Sequence, residues 1–188
     1  MNLDVNPLES LYHRTVALRK EFVAALRANP QVVDPSLYTF IEHGATKNLA
    51  DLFGDQRDLV VIHNMGKQCK YCTLWADGLN GLLRQITSRT AMVVMNADDP
   101  AVQHAVAAER GWNHRMVHDA GGAFAVALGF GSLTDGKLSL TPGYSSFYKD
   151  TDGTITRIGF DFFGPGDMYM PVFPMFELLK DGANGWQP

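Results

Sequence analysis

The sequence has 188 residues, of which 46% are hydrophobic and 19% charged, and its formal net charge is -4. A chain of this size can build one well-packed core and is too short for two large domains. Because the net charge is acidic and the Lys and Arg residues are scattered, we expect no basic face and no nucleic-acid partner.

The sequence also predicts where the protein works. No stretch reaches the ~18 continuous apolar residues that a membrane helix needs. The start, "MNLDVNPLESLYHR", lacks the pattern of a signal peptide. We therefore expect a cytoplasmic protein that does not enter a membrane. Structural disulfides are unusual in that compartment, which favours redox or metal chemistry for closely spaced cysteines.

The first part of the chain predicts one amphipathic helix followed by loop. Apolar side chains recur at helical spacing between Leu8 and Leu26, and Asn29-Pro30 ends the pattern. Residues 31–56 carry turn-forming Pro and Gly and predict a loop with one short strand. We assign residues 1–50 to an N-terminal helical extension and loop, and residues 51–188 to the main domain.

The main domain predicts alternating strands and helices that end in a hairpin. "DLVVIHNM" and "AMVVMNADDP" predict buried strands, each followed by a helix, over residues 72–86 and 100–110. "HRMVHD" predicts a short third strand and "GGAFAVALGF" a short helix. "YSSFYKDTDGTITRIGFDFF" predicts a hairpin around an Asp-Gly turn. This order predicts an α/β thioredoxin-like fold, a central mixed sheet flanked by helices, with an added N-terminal helix.

The only two cysteines of the chain, Cys69 and Cys72, fall between the first of these strands and its helix. Unpaired backbone N–H groups and the helix dipole stabilise a thiolate at such a helix start, which makes Cys69 the expected nucleophile. Cys72 lies one turn further and is the expected resolving thiol. Between them, Lys70 adds positive charge and Tyr71 offers an aromatic rim to a substrate.

His63 is a further catalytic candidate, six positions before Cys69 at the end of the strand. Many thioredoxins place a buried acid there, which accepts the proton of the second cysteine, and an imidazole can do the same near neutral pH. The alternative is a core histidine that is hydrogen-bonded within the fold. The sequence leaves both interpretations open.

A zinc site is the competing interpretation of the cysteine pair. Cys69 and Cys72 have the spacing of half a zinc site, and His114 and His118 could complete it. However, "HRMVH" predicts a strand, in which residues four apart are separated by ~13 Å and cannot share a metal. We expect no metal and no other cofactor.

Aromatic residues near the cysteines and near the C-terminus are ambiguous. Trp75 could line the surface beside the cysteines, or could belong to the core. "FDFFGPGDMYMPVFPMFELL" concentrates aromatic and methionine side chains. It predicts a C-terminal wrap over the core, with a dimer face or an apolar cover for the cysteines as the alternative.

Several segments together resemble a known family. They are "ALRKEFVAALRANP", "LADLFGDQRDLVVIHNM", "CKYCTLWADGLNG", "ERGWNHRMV", "TPGYSSFYKDTDGTI" and "FDFFGPGDMY". In order and spacing they are similar to a thioredoxin-like bacterial family long labelled a domain of unknown function and described as predicted dithiol-disulfide oxidoreductases. The resemblance implies a thioredoxin fold with an added N-terminal helix, and Cys69 and Cys72 as its redox pair.

Thioredoxins also place a cis-proline at the start of the strand that faces the disulfide, where it pairs with substrate. Alignment on the "FYKDTDG" hairpin puts Tyr144 at that position and Pro142 two residues earlier. We favour this alignment over a longer hairpin that starts at Thr141-Pro142, because the strand length to the Asp-Gly turn is the firmer landmark. A cis bond before Tyr144 would be costly, so no cis bond is expected there. Substrate binding is then expected to resemble that of peroxide-reducing relatives more than that of thioredoxin.

These observations predict a thiol-disulfide oxidoreductase that acts on a disulfide-containing protein, or on a small thiol or peroxide. A homodimer is a candidate for its oligomeric state. One alternative is a thioredoxin-fold binding or redox-sensing protein without turnover. The other is a thiol peroxidase in which Cys69 becomes a sulfenic acid that Cys72 resolves.

Overall fold

A computed structural model of the protein describes residues 6–188. Its strands are β1 (Gln31–Val33), β2 (Phe40–Glu42), β3 (Ala45–Lys47), β4 (Asp58–His63), β5 (Ala91–Asn96), β6 (Arg115–Asp119), β7 (Gly131–Thr134), β8 (Lys137–Leu140), β9 (Gly143–Lys149) and β10 (Ile155–Phe162). Its α-helices are α1 (Asn6–Arg27), α2 (Lys70–Gly81), α3 (Leu83–Thr87), α4 (Pro100–Arg110), α5 (Ala123–Ala127) and α6 (Val172–Glu177).

Within these residues, eight strands form one mixed sheet in the order β1-β10-β9-β4-β5-β6-β2-β3, and β7 pairs with β8 separately. At the centre, β4, β5 and β6 run parallel to one another, whereas β9 lies antiparallel to β4 and to β10. The strand-helix units and the closing hairpin thus have the predicted order.

Local sequence explains the helix that connects β5 and β6. The Asp99 side chain caps α4 by accepting the Ala101 N–H at 2.8 Å, and Pro100 occupies the first turn, where no backbone donor is needed. Gly111 ends the helix in a left-handed conformation. The next strand therefore starts at a defined point and returns parallel to β5.

The sheet carries an apolar core on each face. The first core contains Phe40, Leu59, Val61, Val93, Val117, Phe124 and Phe147, among others. The second core contains Ile62, Met92 and Val94 from the sheet, Cys72 and Trp75 from α2, and Phe163, Met170 and Phe173 from the C-terminal segment. Because neighbouring residues of a strand point to opposite faces, the odd-numbered residues of β4 face the first core and Ile62 faces α2.

Three parts of the fold differ from the sequence-based expectations. The sequence predicts residues 31–56 as loop with one short strand, but they supply β1, β2 and β3 to the central sheet. The part of the predicted 1–50 extension that stands outside the sheet is therefore α1. The single helix predicted over 72–86 is two helices, α2 and α3, separated at Leu82, and the β7–β8 hairpin was not predicted.

The described part of the chain has no helix that is both long enough and apolar enough to cross a membrane. The one long helix, α1, has 22 residues, and it ends where the Asn29 side chain donates to the Ala25 carbonyl oxygen.

Candidate redox site

Cys69 caps the helix that begins at Lys70. Its backbone is extended, with φ at -93° and ψ at 101°, and its Sγ accepts the backbone N–H of Cys72 at 3.1 Å. The Cys69 carbonyl also accepts the Thr73 N–H at 3.0 Å, which closes the first turn. Cys69 therefore provides the cap that Ser or Asp usually supplies, and its sulfur lies where helix N–H groups stabilise negative charge.

The loop between β4 and Cys69 is held by a polar network. Gly66 has a positive φ of 92°, and a Cβ there would lie 2.7 Å from Asp98 Oδ1, so that only glycine fits. The Gly66 N–H donates to Asn64 Oδ1 at 2.7 Å, and the Lys67 N–H donates to Asp98 Oδ2 at 2.7 Å. Asn96 supports Asp98 by accepting its N–H at 3.0 Å.

Sequence reasoning missed this network. Asn64, Asn96 and Gln103 are all buried, and the Gln103 amide donates to Asn96 Oδ1 at 2.7 Å and to the Val117 carbonyl oxygen at 3.0 Å. One signal in the sequence points to the network. Asn64 directly follows one predicted parallel strand and Asn96 ends the next, and the carboxyl ends of parallel strands meet at one edge of the sheet. The network fixes the loop that positions Cys69.

Cys72 differs from Cys69 in its surroundings. It is only 2% exposed, whereas Cys69 is half-buried, and both are free thiols. Burial raises the pKa of the Cys72 thiol, and the hydrogen bond with the Cys69 sulfur raises it further. The Met65 N–H points at Cys72 Sγ from 3.4 Å and is the donor available to a thiolate that forms there.

The other predicted substrate-binding residues take different places. Lys70 is exposed, and Tyr71 is half-buried, with its ring 6.3 Å from the ring of Phe173. Trp75 is 3% exposed and packs against Phe163 at 5.1 Å, so its ring belongs to the core under the site. Of the two interpretations of Trp75, its burial supports the core one, and the substrate-binding role predicted for it has no exposed ring to act through.

β9 begins at Gly143, directly after Pro142 and one residue before Tyr144. The strand therefore starts between the two positions expected from the sequence, and neither Thr141-Pro142 nor Tyr144 is its first residue. The peptide bonds of the described residues are all trans. The Pro142 carbonyl accepts the N–H of Phe163 at 2.9 Å, so this backbone group is already paired within the chain.

Tyr144 packs in the same apolar cluster as Cys69 and joins it to the N-terminal helix. Its hydroxyl lies 3.2 Å from that of Tyr169, which donates to Asp161 Oδ2 at 2.6 Å. From α1, Arg19 Nη1 donates to the same carboxylate at 2.5 Å. A continuous polar chain thus runs from α1 to the wall of the cysteine site.

His63 is separated from the cysteines by the sheet. Its Nε2 lies 3.0 Å from Ser145 Oγ, and its ring stacks on Phe130 at 4.0 Å, on the face opposite α2. Burial, together with the nearby charge of Arg157, lowers the pKa of His63 to about 3. This geometry gives His63 no contact through which to accept the Cys72 proton, and the core alternative describes it better.

The histidines of the zinc alternative are also apart from the cysteines. His118 Nδ1 lies 2.8 Å from the Asp98 carbonyl oxygen, and His114 packs on Trp112 with ring centroids 5.1 Å apart. Among residues 6–188, no group of three or more His, Cys, Asp or Glu side chains is arranged to hold a metal ion.

The C-terminal segment covers the second core rather than the cysteines alone. Phe163, Met170 and Phe173 are buried around Trp75, in agreement with the predicted wrap. Met168 and Met175 are 60% and 62% exposed and face outward. The segment therefore forms one wall beside Tyr71 and Tyr144.

Comparison with known proteins identifies the family. Residues 12–185 match the model of a family described as "Bacterial protein of unknown function (DUF899)". The chain belongs to this family. No curated protein matches the sequence.

The fold is shared with solved peroxiredoxins. The peroxidoxin BcpB from Mycobacterium tuberculosis is 21% identical, with a TM-score of 0.54 over 70% of this chain and 85% of that one. A cysteine mutant of PrxQ from Xylella fastidiosa is 15% identical, with a TM-score of 0.57 over 78% and 93%. Reduced Prx3 from Vibrio vulnificus is 17% identical, with a TM-score of 0.55 over 73% and 88%. At these identities the likeness establishes the thioredoxin-like fold, which confirms the predicted fold class.

Proposed function

We propose that the protein is a cytoplasmic thiol-disulfide oxidoreductase that uses Cys69 and Cys72 as its redox pair. The observation that carries the proposal is the asymmetry of the two sulfurs around the first turn of α2. Cys69 is half-buried and caps the helix, whereas Cys72 is 2% exposed and its pKa is raised by burial. A nucleophile and a resolving thiol require this difference.

The reaction proceeds in two exchanges. The Cys69 thiolate attacks one sulfur of a substrate disulfide, which forms a mixed disulfide and releases the other sulfur as a thiolate. Cys72 then loses its proton and attacks Cys69 Sγ, which releases the second substrate thiol and leaves a Cys69–Cys72 disulfide. The substrate has gained two electrons, and an external thiol must return them to the protein.

The second exchange is the demanding one, because Cys72 is buried and resists deprotonation. The Met65 N–H, 3.4 Å from Cys72 Sγ, stabilises the thiolate as it forms. The first exchange removes the negative charge on Cys69, and with it a cause of the raised Cys72 pKa. Formation of the mixed disulfide therefore makes Cys72 easier to deprotonate.

The surroundings of Cys69 favour a substrate with an apolar part. Tyr71 and Tyr144 pack in the cluster that Cys69 borders, and Lys70 is exposed beside it. We propose that Tyr71 and Tyr144 contact substrate and that Lys70 contributes positive charge near the reacting sulfur.

A thiol peroxidase is the second candidate function. The observation in its support is the similarity of the fold to solved peroxiredoxin structures. The similar structures include a peroxidoxin and peroxiredoxins, one of them from a study of alkyl peroxide reduction. Cys69 would attack a peroxide oxygen, which yields an alcohol and a Cys69 sulfenic acid. Cys72 would then displace water from that sulfur and form the same disulfide.

Single-turnover measurements on two variants test both candidates. We expect Cys69→Ser to abolish reaction with oxidised glutathione. We expect Cys72→Ser to release one thiol equivalent and to retain the other as a mixed disulfide on Cys69. A Cys69→Ser protein that still reacts at the wild-type rate would contradict the proposal.

The two candidates separate when the Cys72→Ser protein is treated with cumene hydroperoxide and then with dimedone. A disulfide oxidoreductase should react much faster with glutathione disulfide than with the hydroperoxide, and should give little dimedone adduct. Rapid and stoichiometric labelling of Cys69 by dimedone would assign the peroxidase function instead.

A further inference from the structure

The N-terminal helix α1 carries an apolar stripe that the fold does not cover. Side chains that recur at alternating steps of three and four residues stay on one side of a helix, and two helices pack along each other by this pattern. In α1 the positions with this spacing are Leu8, Leu11, Thr15, Leu18, Phe22 and Ala25. All six are exposed, and the four large apolar side chains among them are between 40% and 63% exposed. We call these six residues the α1 seam.

The α1 seam differs from the face by which the helix is attached to the sheet. That face carries the half-buried side chains Val16, Arg19 and Leu26, and Arg19 donates to Asp161 of β10 at 2.5 Å. At 3.6 residues per turn, the attached face lies beside the seam. Polar side chains occupy the side opposite the seam, and they are Glu9, His13, Lys20 and Arg27. The seam is therefore an apolar surface that neither the sheet nor the polar side of the helix accounts for.

The first half of α1 has little support within its own chain. Every side chain from residue 7 to residue 15 is exposed, including the large apolar side chains of Leu8, Leu11 and Tyr12. Helices in proteins owe most of their stability to the packing of one apolar face, and a short helix without such packing is marginal in water. A partner that packs along the whole seam would supply the packing that this half lacks.

A second copy of α1 fits the seam when it runs in the opposite direction. Each layer of contact then joins two seam residues, and a two-fold axis repeats the layers. The layers are Leu8 with Ala25, Leu11 with Phe22, and Thr15 with Leu18. The one polar side chain among them brings no unpaired hydroxyl to the contact, because Thr15 Oγ1 donates to the Leu11 carbonyl oxygen at 3.1 Å. The seam is thus complementary to itself in the antiparallel direction.

The charges beside the seam favour the antiparallel direction. Arg14 and Glu21 lie on the same flank of the seam, and neither forms an ion pair within residues 6–188. In the antiparallel layers, Arg14 and Glu21 of the second copy are offset by about 3 Å along the helix axis, so opposite charges meet twice. A parallel pair would instead bring Arg14 to Arg19 of the second copy, where like charges meet. Exposed ion pairs add little affinity, so they select the direction while the apolar seam supplies the strength.

We propose that the protein forms a homodimer through the α1 seam, with the two helices antiparallel. The seam residues of each copy pack in the three kinds of layer described above. Arg14 of each copy pairs with Glu21 of the other, on either side of the two-fold axis. The seam contains neither Cys69 nor Cys72, so the proposal does not depend on the redox function.

Sedimentation equilibrium of the full chain tests the interface. We expect a wild-type dimer that Leu18→Glu weakens by at least about 100-fold, because the substitution places a charge in both central layers. Leu178→Glu is the matched control, since Leu178 is 89% exposed near the C-terminus and lies outside the seam, and its dissociation constant should equal that of the wild type. A monomeric wild type, or a dimer that is lost in Leu178→Glu and retained in Leu18→Glu, would overturn the proposal.

Charge reversal tests the direction of pairing and leaves the apolar seam intact. Arg14→Glu should weaken the dimer by about tenfold, because the new carboxylate meets Glu21 of the second copy twice. Adding Glu21→Arg to that variant should restore the wild-type dissociation constant. Lys20→Glu makes the same change of charge on the side of α1 opposite the seam, and it should have no effect. A dimer that tightens in Arg14→Glu, or a double variant that stays as weak as Arg14→Glu, would overturn the antiparallel arrangement.

Discussion

Acidification from pH 7 to pH 5 should destabilise the protein through two buried histidines. Burial lowers the pKa of His63 to about 3 and that of His114 to about 4. Arg157 adds to the first shift, whereas the carbonyl groups of His114 and Ala76 offset part of the second. Both rings are therefore neutral in the folded protein throughout this pH range.

The size of the effect follows from proton linkage. An unfolded chain protonates histidine with a pKa near about 6.5, so at pH 5 the unfolded state binds protons that the folded state does not. Stability is then fully present above about pH 6.5 and is lost as the pH falls toward the folded-state pKa values. At about 1.4 kcal/mol per pH unit, each histidine lowers the free energy of unfolding by about 2 kcal/mol at pH 5.

Urea unfolding at the two pH values measures this loss. We expect the wild type to lose about 2 kcal/mol more than His63→Gln, which keeps a polar partner for Ser145 but cannot titrate in this range. His104→Gln is the control, because His104 is exposed on α4. Asp119, whose pKa is raised by burial, acts in the opposite direction, but it does so equally in all variants. If His63→Gln and the wild type lose the same free energy, the reasoning is refuted.

Two further pairs of substitutions test the packing of α2 and the attachment of α1. Gly81→Ala should raise the free energy of unfolding by up to about 1 kcal/mol, because nothing lies within 4 Å of the added Cβ. Gly78→Ala should not raise it, because the added Cβ would meet Met170 Cε at 2.5 Å. Arg19→Met should lower the free energy of unfolding by about 1–3 kcal/mol and speed proteolysis within α1, because it removes the cation that ties this helix to the sheet. Arg14→Met is the control at an exposed position of α1, and it should change neither the free energy of unfolding nor the rate of proteolysis. Thermal unfolding measures the first quantity and limited trypsin digestion the second.

His63→Gln also separates the two roles considered for that residue. Because His63 lies across the sheet from α2, we expect the substitution to leave the rate of mixed-disulfide resolution unchanged. Stopped-flow measurement of that rate on the folded variant checks this. A rate that falls by about 10²–10⁴-fold would restore His63 as the general base.

The sequence was most informative where local chemistry decides the structure. The Asp-Gly turn defined the β9–β10 hairpin, and continuous apolar runs identified β4 and β5, because such patterns specify strands without distant partners. The placement of Cys69 at the start of α2 followed in the same way.

The missing parts depend on contacts between distant residues. β1, β2 and β3 have three residues each, too few for an alternating pattern to stand out, and they form because the sheet offers them partners. The role of Gly66 depends on Asp98, which lies 32 positions away in the sequence. The face on which His63 lies depends on the side of the sheet that α2 covers, and the strand pattern alone does not specify that side.

The pairing of Cys69 with Cys72 tests the central proposal most directly. The protein would be equilibrated in glutathione buffers of increasing oxidising power, quenched by acid, alkylated, and mapped by mass spectrometry. We predict a two-electron transition to an intramolecular Cys69–Cys72 disulfide, with Cys69 as the residue glutathionylated when Cys72→Ser is treated in the same way. Two thiols that stay reduced across the series, or glutathione found on Cys72 with Cys69 free, would contradict the proposal.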